Sequence, residues 1–357
     1  MKLNKKKKKL IIKLENSLLD VMKAMDIGGE KILFVVNDAL QLIGCVTDGD
    51  IRRWILTNGK LEGSITNYYN PKPITVNDDF DIDKLKSLVL KERYSAIPVI
   101  DKERKLVNIL LNSEIVDKRS VNLSLDDTVD VVIMAGGKGT RLNPFTHVLP
   151  KPLIPINGKP IIQIILKRLM EHNYNKYYIS LNEKSKILKA YFNEESFDEK
   201  INFVLEEKGL GTIGALNLLK DKISNTFFVV NCDTIVKADY NEVYNFHKEN
   251  NYDLTILGCV KIQEISYGVC ELNKNGLLSS IAEKPIHSFI ANTGFYVLNR
   301  ENIDLIPKNK SFDMTELINK ILLNNGRIGV FPISNDSWND VGNWVEYQKT
   351  SKILGNV

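Results

Sequence analysis

The chain of 357 residues is too long for one average domain and suggests two or three, each able to bury its own core. Its hydrophobic content of 43%, charged content of 26% and net charge of +4 describe an ordinary soluble protein. The lysine run from Lys5 to Lys9 predicts a solvated tail, and the apolar segment from Leu10 to Ile12 is too short for a signal peptide. Since no later segment approaches a membrane span, we expect a cytoplasmic protein with neither a membrane nor nucleic acid as partner.

The cysteines and histidines show no spacing typical of a metal site. We therefore predict that the cysteines are small core hydrophobes in a reducing compartment, and we assign no histidine to metal binding or acid–base work. The four cysteines are Cys45, Cys232, Cys259 and Cys270.

An internal repeat occupies the first third of the chain. A shift of 64 residues superposes the apolar run at 33–37 on the run at 97–101. Helical stretches precede these runs at 17–25 and 82–90, so the shared plan is helix, strand, polar turn, strand, helix. We predict two α+β copies, at about residues 10–66 and 72–125.

The two copies, the first closed by GCVTDGDIRR, resemble a tandem pair of cystathionine-β-synthase (CBS) domains, a regulatory module that often binds adenine nucleotides. The resemblance implies that Thr47 and Asp50 contact ribose hydroxyls. Leu111 and Glu114 hold the matching positions of the second copy, which therefore lacks the hydroxyl. We expect one purine nucleotide per pair, with docking or dimerisation as an equal alternative.

A polar, aperiodic segment after Ile115 places a domain boundary near residue 125. Beyond it, apolar strands alternate with amphipathic helices, which predicts an α/β domain over residues 126–357, with a mostly parallel sheet and helices on both faces. Ligands on such sheets bind at the carboxyl ends of the strands. The strand and helix pairs are 176–181 with 184–192, 201–205 with 213–219, and 226–231 with 240–249.

The stretch MAGGKGTRLNPFTHVLPKPLIPING follows the first apolar strand of this domain, DVVIM. Gly136, Gly137 and Gly139 allow successive backbone N–H groups to converge on phosphate oxygens. Arg141 offers a planar fork of donors, and Lys151 is a compact point charge that can follow a moving phosphoryl group. The pattern matches neither the P-loop nor the dinucleotide-binding fingerprint.

This stretch resembles the signature of the sugar-1-phosphate nucleotidyltransferases, G-G-x-G-T-R-L-x-P-x-T followed by P-K-P-L-x-P-I-x-G-K-P. The resemblance covers nearly all of residues 129–350, with five matched motifs in family order, and implies a Rossmann-like, GT-A-like fold. It implies that Arg141 and Lys151 act on the phosphates. The residues of this stretch that it assigns to nucleotide binding are Ala135, Gly136, Gly137, Gly139 and Thr140.

Base recognition is assigned to LEEKGLGTIGAL, which resembles the family's E-x-x-P-L-G-T-x-G-A-L with Gly209 in place of proline. Its glycines let a flat ring lie against the main chain, and Thr212 is predicted to start a helix. Glu206 or Glu207 can accept hydrogen bonds from the N1 and N2 groups of guanine. The nucleotide-binding residues predicted here are Glu206, Gly211, Thr212 and Gly214.

Two aspartates are predicted to hold Mg²⁺, which would neutralise the anionic reactants of nucleotidyl transfer. Asp233 closes the run FFVVNCD, and Asp340 lies in WNDVG. An aspartate after a strand is as often a turn or cap residue. Both, however, match the family's metal aspartates, in G-D and W-x-D-x-G, with Cys232 replacing the glycine.

The sugar phosphate needs a cation of its own, and Lys284 in AEKP is the candidate. The segment resembles the family's E-K-P strand end, which implies that Glu283 binds sugar hydroxyls. Pro285 is expected to stop the strand so that Lys284 points into the cleft. Asn292 and Gly294 of NTGFYVL match residues that line the family's sugar pocket.

These features predict a nucleotidyltransferase that joins a nucleoside triphosphate and a sugar 1-phosphate. A CBS pair before a transferase without hexapeptide repeats resembles the glucosamine-1-phosphate guanylyltransferases of legionaminic acid biosynthesis. GTP and glucosamine 1-phosphate are thus the expected substrates, for a cell-surface or flagellar glycan. The alternatives are mannose-1-phosphate or heptose-1-phosphate guanylyltransferases and thymidylyl- or uridylyltransferases.

Two other classes of protein fit less well. A non-catalytic, CBS-regulated nucleotide sensor has no need for both metal carboxylates and both phosphate cations. A glycosyltransferase of related topology would need a D-x-D metal motif, and NCDT is not one. We also expect a homo-oligomer.

Overall fold

The chain separates into two compact units, Met1–Val121 with Val260–Ile290 and Asn122–Cys259 with Ala291–Val357. Among the described residues, no helix has the length and apolar character needed to cross a lipid bilayer. The computed structural model describes residues 3, 5–59, 61, 63–77, 85, 94–115, 129–137, 139–172, 174–182, 185–194 and 200–355.

The first unit contains two three-stranded sheets with the same topology. In each, a short strand pairs in parallel with a buried central strand, which pairs antiparallel with a third. The strands are β1 (Ile11–Ile12), β2 (Ile32–Val36), β3 (Leu42–Thr47), β4 (Val76–Asn77), β5 (Ala96–Ile100) and β6 (Leu106–Leu111). The helices are α1 (Lys5–Lys8), α2 (Leu18–Gly28), α3 (Asp48–Asn58) and α4 (Asn112–Ile115).

The predicted repeat is visible in the backbone of both sheets. Leu40 and Arg104, 64 residues apart, turn the two hairpins with φ angles of 59° and 61°. The two copies also bond to each other at these turns, because Leu42 N donates to Arg104 O at 2.8 Å and Leu106 N donates to Leu40 O at 2.9 Å. Except for Leu85, the helix predicted at 82–90 lies outside the described residues.

The boundary predicted near residue 125 also falls in a stretch, 116–128, outside the described residues, so it stays a prediction. The first unit takes in a β-hairpin from much later in the chain, formed by β15 (Val269–Leu272) and β16 (Leu278–Ala282).

The second unit is built on a seven-stranded sheet. Its strands are β7 (Asp130–Met134), β10 (Tyr177–Leu181), β11 (Ile201–Leu205), β12 (Thr226–Asn231), β14 (Leu254–Glu264), β17 (Ile286–Asn299) and β18 (Ile328–Ile333). The strand order is β11-β10-β7-β12-β17-β14-β18. β7 pairs in parallel with both β10 and β12, whereas β17 is antiparallel to β12. Short pairs are β8 (Pro155–Ile156) with β9 (Lys159–Pro160) and β13 (Thr234–Val236) with β19 (Trp338–Asp340).

Hydrophobic cores on both faces bury this sheet. Successive side chains of a strand point to opposite faces, and in β7 Val131 and Ile133 belong to one core while Val132 and Met134 belong to the other. The predicted mostly parallel α/β fold is therefore confirmed. Its helices are α5 (Phe145–Val148), α6 (Ile161–Met170), α7 (Ser185–Glu194), α8 (Tyr240–Glu249), α9 (Met314–Leu323) and α10 (Trp344–Gly355).

One helix prediction was wrong. The segment predicted as an amphipathic helix at 213–219 is a 3₁₀ helix, Gly214–Leu219, and Thr212 does not start it. The Thr212 N–H donates to Asp313 Oδ1 at 2.8 Å, and its hydroxyl accepts a hydrogen bond from Met314 N at 2.9 Å. Tertiary hydrogen bonds thus hold Thr212 in the loop before the helix.

A buried histidine links three elements of the second unit. His247 of α8 is 1% exposed, and its ring nitrogens lie 2.9 Å from Thr255 Oγ1 and 3.0 Å from Asn299 Oδ1. Burial lowers the pKa of His247, because the charged imidazolium loses its hydration.

The lowered pKa of His247 predicts a loss of stability in mild acid. Because burial lowers the pKa of the folded histidine, the unfolded chain takes up a proton at a higher pH than the folded one, so this contribution to stability is present above pH 6.5 and is lost as the pH falls towards the folded pKa. We expect His247→Gln to melt at a lower temperature at pH 7.5 but to lose less on acidification, as measured by thermal unfolding. The exposed-site control His287→Gln should follow the native protein; an identical pH dependence in His247→Gln would contradict the prediction.

Candidate active site

The glycine loop leaves the carboxyl end of β7, in the middle of the sheet. Gly136 lies so close to the loop after β11 that a Cβ there would be 2.3 Å from Glu206 Oε1. Asn182 Nδ2 donates to the Gly136 carbonyl, and Ala135 N donates to Ser180 Oγ at 3.1 Å. The loop is therefore fixed by the neighbouring strand β10 and its following residues, and a side chain at Gly136 would not fit.

A cavity of about 490 Å³ lies along this loop. The structure brings most of the predicted phosphate and metal residues to its wall, all of them from the second unit. They are Gly136, Gly137, Gly139, Thr140, Arg141, Lys151, Gly211, Thr212 and Asp233.

The two phosphate cations differ in their surroundings. Arg141 is exposed in the 3₁₀ helix Thr140–Leu142, so its guanidinium remains accessible to a ligand. Lys151 is 8% exposed, and its ammonium forms an ion pair with Asp233. The sequence did not reveal this pair, because 82 residues separate its members.

The two predicted metal aspartates meet where two short strands pair. Asp233 precedes β13, Asp340 ends β19, and the antiparallel register places Thr234 opposite Asp340. A Cβ at Gly342 would lie 3.0 Å from Asp340 Oδ1 and 3.3 Å from Asp233 Oδ2, so the carboxylates approach each other around this glycine. Burial raises the pKa of Asp340, and the charge of Asp233 raises it further.

A second cavity, of about 470 Å³, shares the glycine loop. Glu206 lines it and is 6% exposed, whereas Glu207 is exposed at the surface. Glu206 Oε2 accepts a hydrogen bond from Leu210 N at 3.1 Å, while Oε1 has no hydrogen-bond partner among the described residues. Burial raises the pKa of Glu206. The cavity therefore offers a buried acceptor that gains from a ligand's N–H donors.

Gly214, predicted to bind nucleotide, is buried, and a Cβ there would lie 2.9 Å from both Leu210 Cβ and the Lys310 carbonyl. Gly214 therefore packs closely against Leu210 and Lys310. Gly211, by contrast, lines the cavity of about 490 Å³ that also contacts Arg141 and Asp233, called the phosphate cavity below.

Two of the predicted sugar residues lie beside the metal aspartates. Gly294 approaches Asn231 so closely that a Cβ would be 2.5 Å from its Nδ2, and Asn231 lines the same cavity as Asp233. Asn292 Nδ2 donates to the hydroxyl of Tyr296 at 2.8 Å, and Asn292 Oδ1 accepts from Gly294 N at 3.1 Å.

The other two predicted sugar residues, Glu283 and Lys284, belong to the first unit. They are exposed in the turn between β16 and β17, where Lys284 has a φ angle of 47°. Pro285 precedes β17 and so does not end a strand. The assignment of Glu283 and Lys284 to the sugar phosphate stays a prediction.

In the first copy of the repeat, Thr47 and Asp50 cap helix α3. Thr47 Oγ1 accepts from Asp50 N at 3.1 Å, Thr47 N donates to Asp50 Oδ2 at 2.8 Å, and Asp50 also pairs with Arg53. In the second copy Glu114 accepts from Leu111 N at 3.0 Å and pairs with Lys7 at 2.9 Å. Thr47 and Asp50 thus have a structural role, and their contact with ribose stays a prediction.

The chain is similar to several solved structures. HddC from Yersinia pseudotuberculosis superposes with a TM-score of 0.51 and 27% identity, covering 63% of this chain and 99% of that chain. The same protein complexed with GMP-PN gives 0.50 and 26%, with 63% and 99% coverage.

The chain is also similar to curated proteins. A "Bifunctional protein GlmU" from Methanococcus maripaludis is 34% identical over 64% of this chain and 55% of its own length. A mannose-1-phosphate guanyltransferase from Yarrowia lipolytica is 36% identical over 49% of this chain and 50% of its length. A UTP–glucose-1-phosphate uridylyltransferase from Synechocystis is 29% identical over 60% and 61%. The chain thus spans roughly half to three fifths of these relatives.

Two family models match the chain. Residues 58–121 match the CBS domain. Residues 130–356, more than half of the chain and the whole of the cavity-bearing sheet, match the Nucleotidyl transferase family. The chain therefore belongs to the nucleotidyl transferase family and carries a CBS domain towards its N-terminus.

Proposed function

We propose that the protein transfers a guanylyl group from GTP to a sugar 1-phosphate and releases pyrophosphate. The observation that carries the proposal is that one unit brings together the glycine loop, Arg141, Lys151 and the carboxylates of Asp233 and Asp340. The similarity to sugar-1-phosphate nucleotidyltransferases supports the reaction class.

In this reaction an oxygen of the sugar phosphate attacks the α-phosphorus of the nucleotide. A new P–O bond forms as the bond to the α–β bridging oxygen breaks, and pyrophosphate leaves with that electron pair. Because every reactant is anionic, the protein contributes mainly by positioning the reactants and neutralising charge. The glycine loop, Arg141 and Lys151 supply donors and positive charge along the phosphate cavity.

The residues present fit a Mg²⁺ ion. Asp233 and Asp340 provide hard oxygen donors that approach each other, and the pKa of Asp340 is raised first by burial and then by the negative charge of Asp233, which a cation would offset. Within the described parts of the chain, no three Asp, Glu, His or Cys side chains form a metal-binding group, so phosphate and water would complete the coordination. The bound ion would supply charge neutralisation at the α-phosphate.

Lys151 connects the metal carboxylates to the phosphates. Its ammonium pairs with Asp233 at the wall of the cavity that also holds Arg141 and the glycine loop. With a metal ion held by Asp233, the Lys151 ammonium would neutralise phosphate oxygens instead. Lysine suits this exchange because its charge sits on a flexible stem.

The choice of guanine is proposed from Glu206. A carboxylate can accept both the N1–H and the N2–H of guanine, an arrangement that a pyrimidine cannot reproduce. Glu206 is buried in the cavity next to the glycine loop and has an oxygen without a partner among the described residues. The similarity to HddC, whose structure was determined with GMP-PN, and to a mannose-1-phosphate guanyltransferase supports the same base.

For the sugar we propose glucosamine 1-phosphate, in a pathway to legionaminic acid, from the resemblance in domain order and in NCDT and LGTIGAL. The CBS pair is proposed to bind a purine nucleotide at Thr47 and Asp50 and to regulate the transferase. Mannose 1-phosphate and heptose 1-phosphate are the sugars to compare. Pyrophosphate release over a grid of four nucleoside triphosphates and these sugar phosphates tests the function, and a pyrimidine triphosphate with higher kcat/KM than GTP would overturn the base assignment.

Asp233→Asn and Asp340→Asn should each lower kcat by at least about a hundredfold, because each removes one charge from the metal site of a polyanionic transition state. Both variants should also bind Mn²⁺ more weakly, as followed by water-proton relaxation. Asp239→Asn is the matched control, since Asp239 caps α8 and asparagine caps helices equally well. Near-normal turnover at saturating Mg²⁺ in either site variant would contradict the metal assignment.

Glu206→Gln should reduce kcat/KM for GTP by about ten- to a hundredfold, as expected when a buried charged acceptor is lost, and should narrow the preference for GTP over UTP. Gln presents one acceptor and one donor group where guanine needs two acceptors. Glu207→Gln, at the exposed neighbour, is the control and should keep the native preference. An unchanged GTP to UTP ratio in Glu206→Gln would remove Glu206 from base recognition.

Lys284→Ala should raise KM for the sugar 1-phosphate about tenfold or more while KM for GTP changes little, because its assigned partner is the sugar's phosphate. Lys274→Ala, which removes an exposed lysine from the tip of the same hairpin, is the control. Initial rates with each substrate varied in turn measure both constants. A rise in KM for GTP alone would show that Lys284 acts on the nucleotide and not on the sugar phosphate.

A further inference from the structure

The loop that follows Glu206 is bonded to a segment 100 residues later in the chain. Phe312 N donates to Leu210 O at 2.9 Å, and Ile213 N donates to Phe312 O at 3.1 Å. Between these two bonds, Thr212 N donates to Asp313 Oδ1 at 2.8 Å. Since Leu210 N in turn donates to Glu206 Oε2, one continuous set of hydrogen bonds runs from residues 312–313 to the carboxylate assigned to the base.

The later segment is a firm support. Phe312 and Met314 are each 4% exposed and belong to the hydrophobic core on one face of the sheet. Asp313 lies between them as the N-cap of α9, and its own N–H donates to Glu316 Oε2 at 2.8 Å. Its backbone is therefore held on both sides, and its carboxylate projects from a fixed position.

The loop itself needs such a support. Gly211 has a φ angle of 78°, and a Cβ there would lie 2.7 Å from the Phe312 carbonyl, so only glycine fits. Glycines lose more conformational freedom than other residues when a loop is ordered, and Gly209 adds to this loss. Gly209, Gly211 and Thr212 line the phosphate cavity, and Asp313 lines it beside them. A ligand binds more tightly when such a loop is already in its bound conformation.

We propose that Asp313 is a positioning residue for nucleotide binding: by accepting the Thr212 N–H it holds the 209–212 loop, and through Leu210 the Glu206 carboxylate, in place for the base. The inference rests on the proposed function. Because this role depends on accepting the Thr212 N–H, it needs the side-chain oxygen of Asp313 and not its charge.

Titration calorimetry with GTP and Mg²⁺, in the absence of sugar phosphate, tests this role on the full chain. Asp313→Ala should weaken GTP binding about tenfold and speed hydrogen exchange in peptides that contain Thr212. Asp313→Asn keeps an oxygen at the same position and should restore affinity to within about threefold of the native protein. Glu316→Ala removes the other hydrogen bond at the start of α9 without touching the loop, and should leave GTP binding unchanged.

Three results would overturn the inference. Native GTP affinity in Asp313→Ala would show that the loop needs no such support. Equal weakening in Asp313→Asn and Asp313→Ala would show that the charge itself acts on the ligand. Equal weakening in Glu316→Ala would show a general effect of the helix start. Failure of the native protein to bind GTP, with binding of another nucleoside triphosphate, would instead overturn the base assignment in the proposed function.

Discussion

The close approach of two carboxylates, those of Asp233 and Asp340, is the constraint on which this site depends. The pairing of β13 with β19 fixes Asp233 and Asp340 on adjacent backbones, and the absence of a side chain at Gly342 lets them converge. Burial and mutual repulsion raise the pKa of Asp340, while Lys151 pairs with Asp233. Such a pair attracts positive charge, and Arg141 and Lys151 line the cavity that Asp233 also lines.

The sheet explains why residues far apart in sequence reach one cavity. β7 lies between β10 and β12, all three parallel, so the glycine loop, Asn182 and Asp233 emerge at the same edge. Uninterrupted apolar runs made these strands predictable, because a strand that is buried on both faces carries apolar residues at nearly every position. The glycine loop and both aspartates could be predicted from motifs that lie at such strand ends.

Contacts between segments that are far apart in the chain could not be predicted from the sequence. Thr212 was predicted to start a helix, yet its N–H donates to Asp313 and its hydroxyl accepts from Met314 N. No local sequence pattern predicts the Lys151–Asp233 ion pair either. Nor does any predict that the segment 260–290, which contains the β15–β16 hairpin, belongs to the first unit. Thr47 and Asp50, predicted as ribose ligands, are also a helix-capping pair, a role that the same T-x-x-D pattern encodes.

The groups assigned to the reaction and those assigned to the base lie on different elements. We assign phosphate and metal chemistry to Arg141, Lys151 and the two aspartates, and base choice to Glu206 and the 209–212 loop, which residues 312–313 hold by hydrogen bonds. A change in the second set can alter the base without disturbing the charge arrangement of the first. The relatives include a mannose-1-phosphate guanyltransferase and a UTP–glucose-1-phosphate uridylyltransferase, so proteins similar to this chain are named for different bases and sugars. The family match over residues 130–356 therefore supports the reaction class, whereas the base and the sugar stay proposals that rest on individual residues such as Glu206.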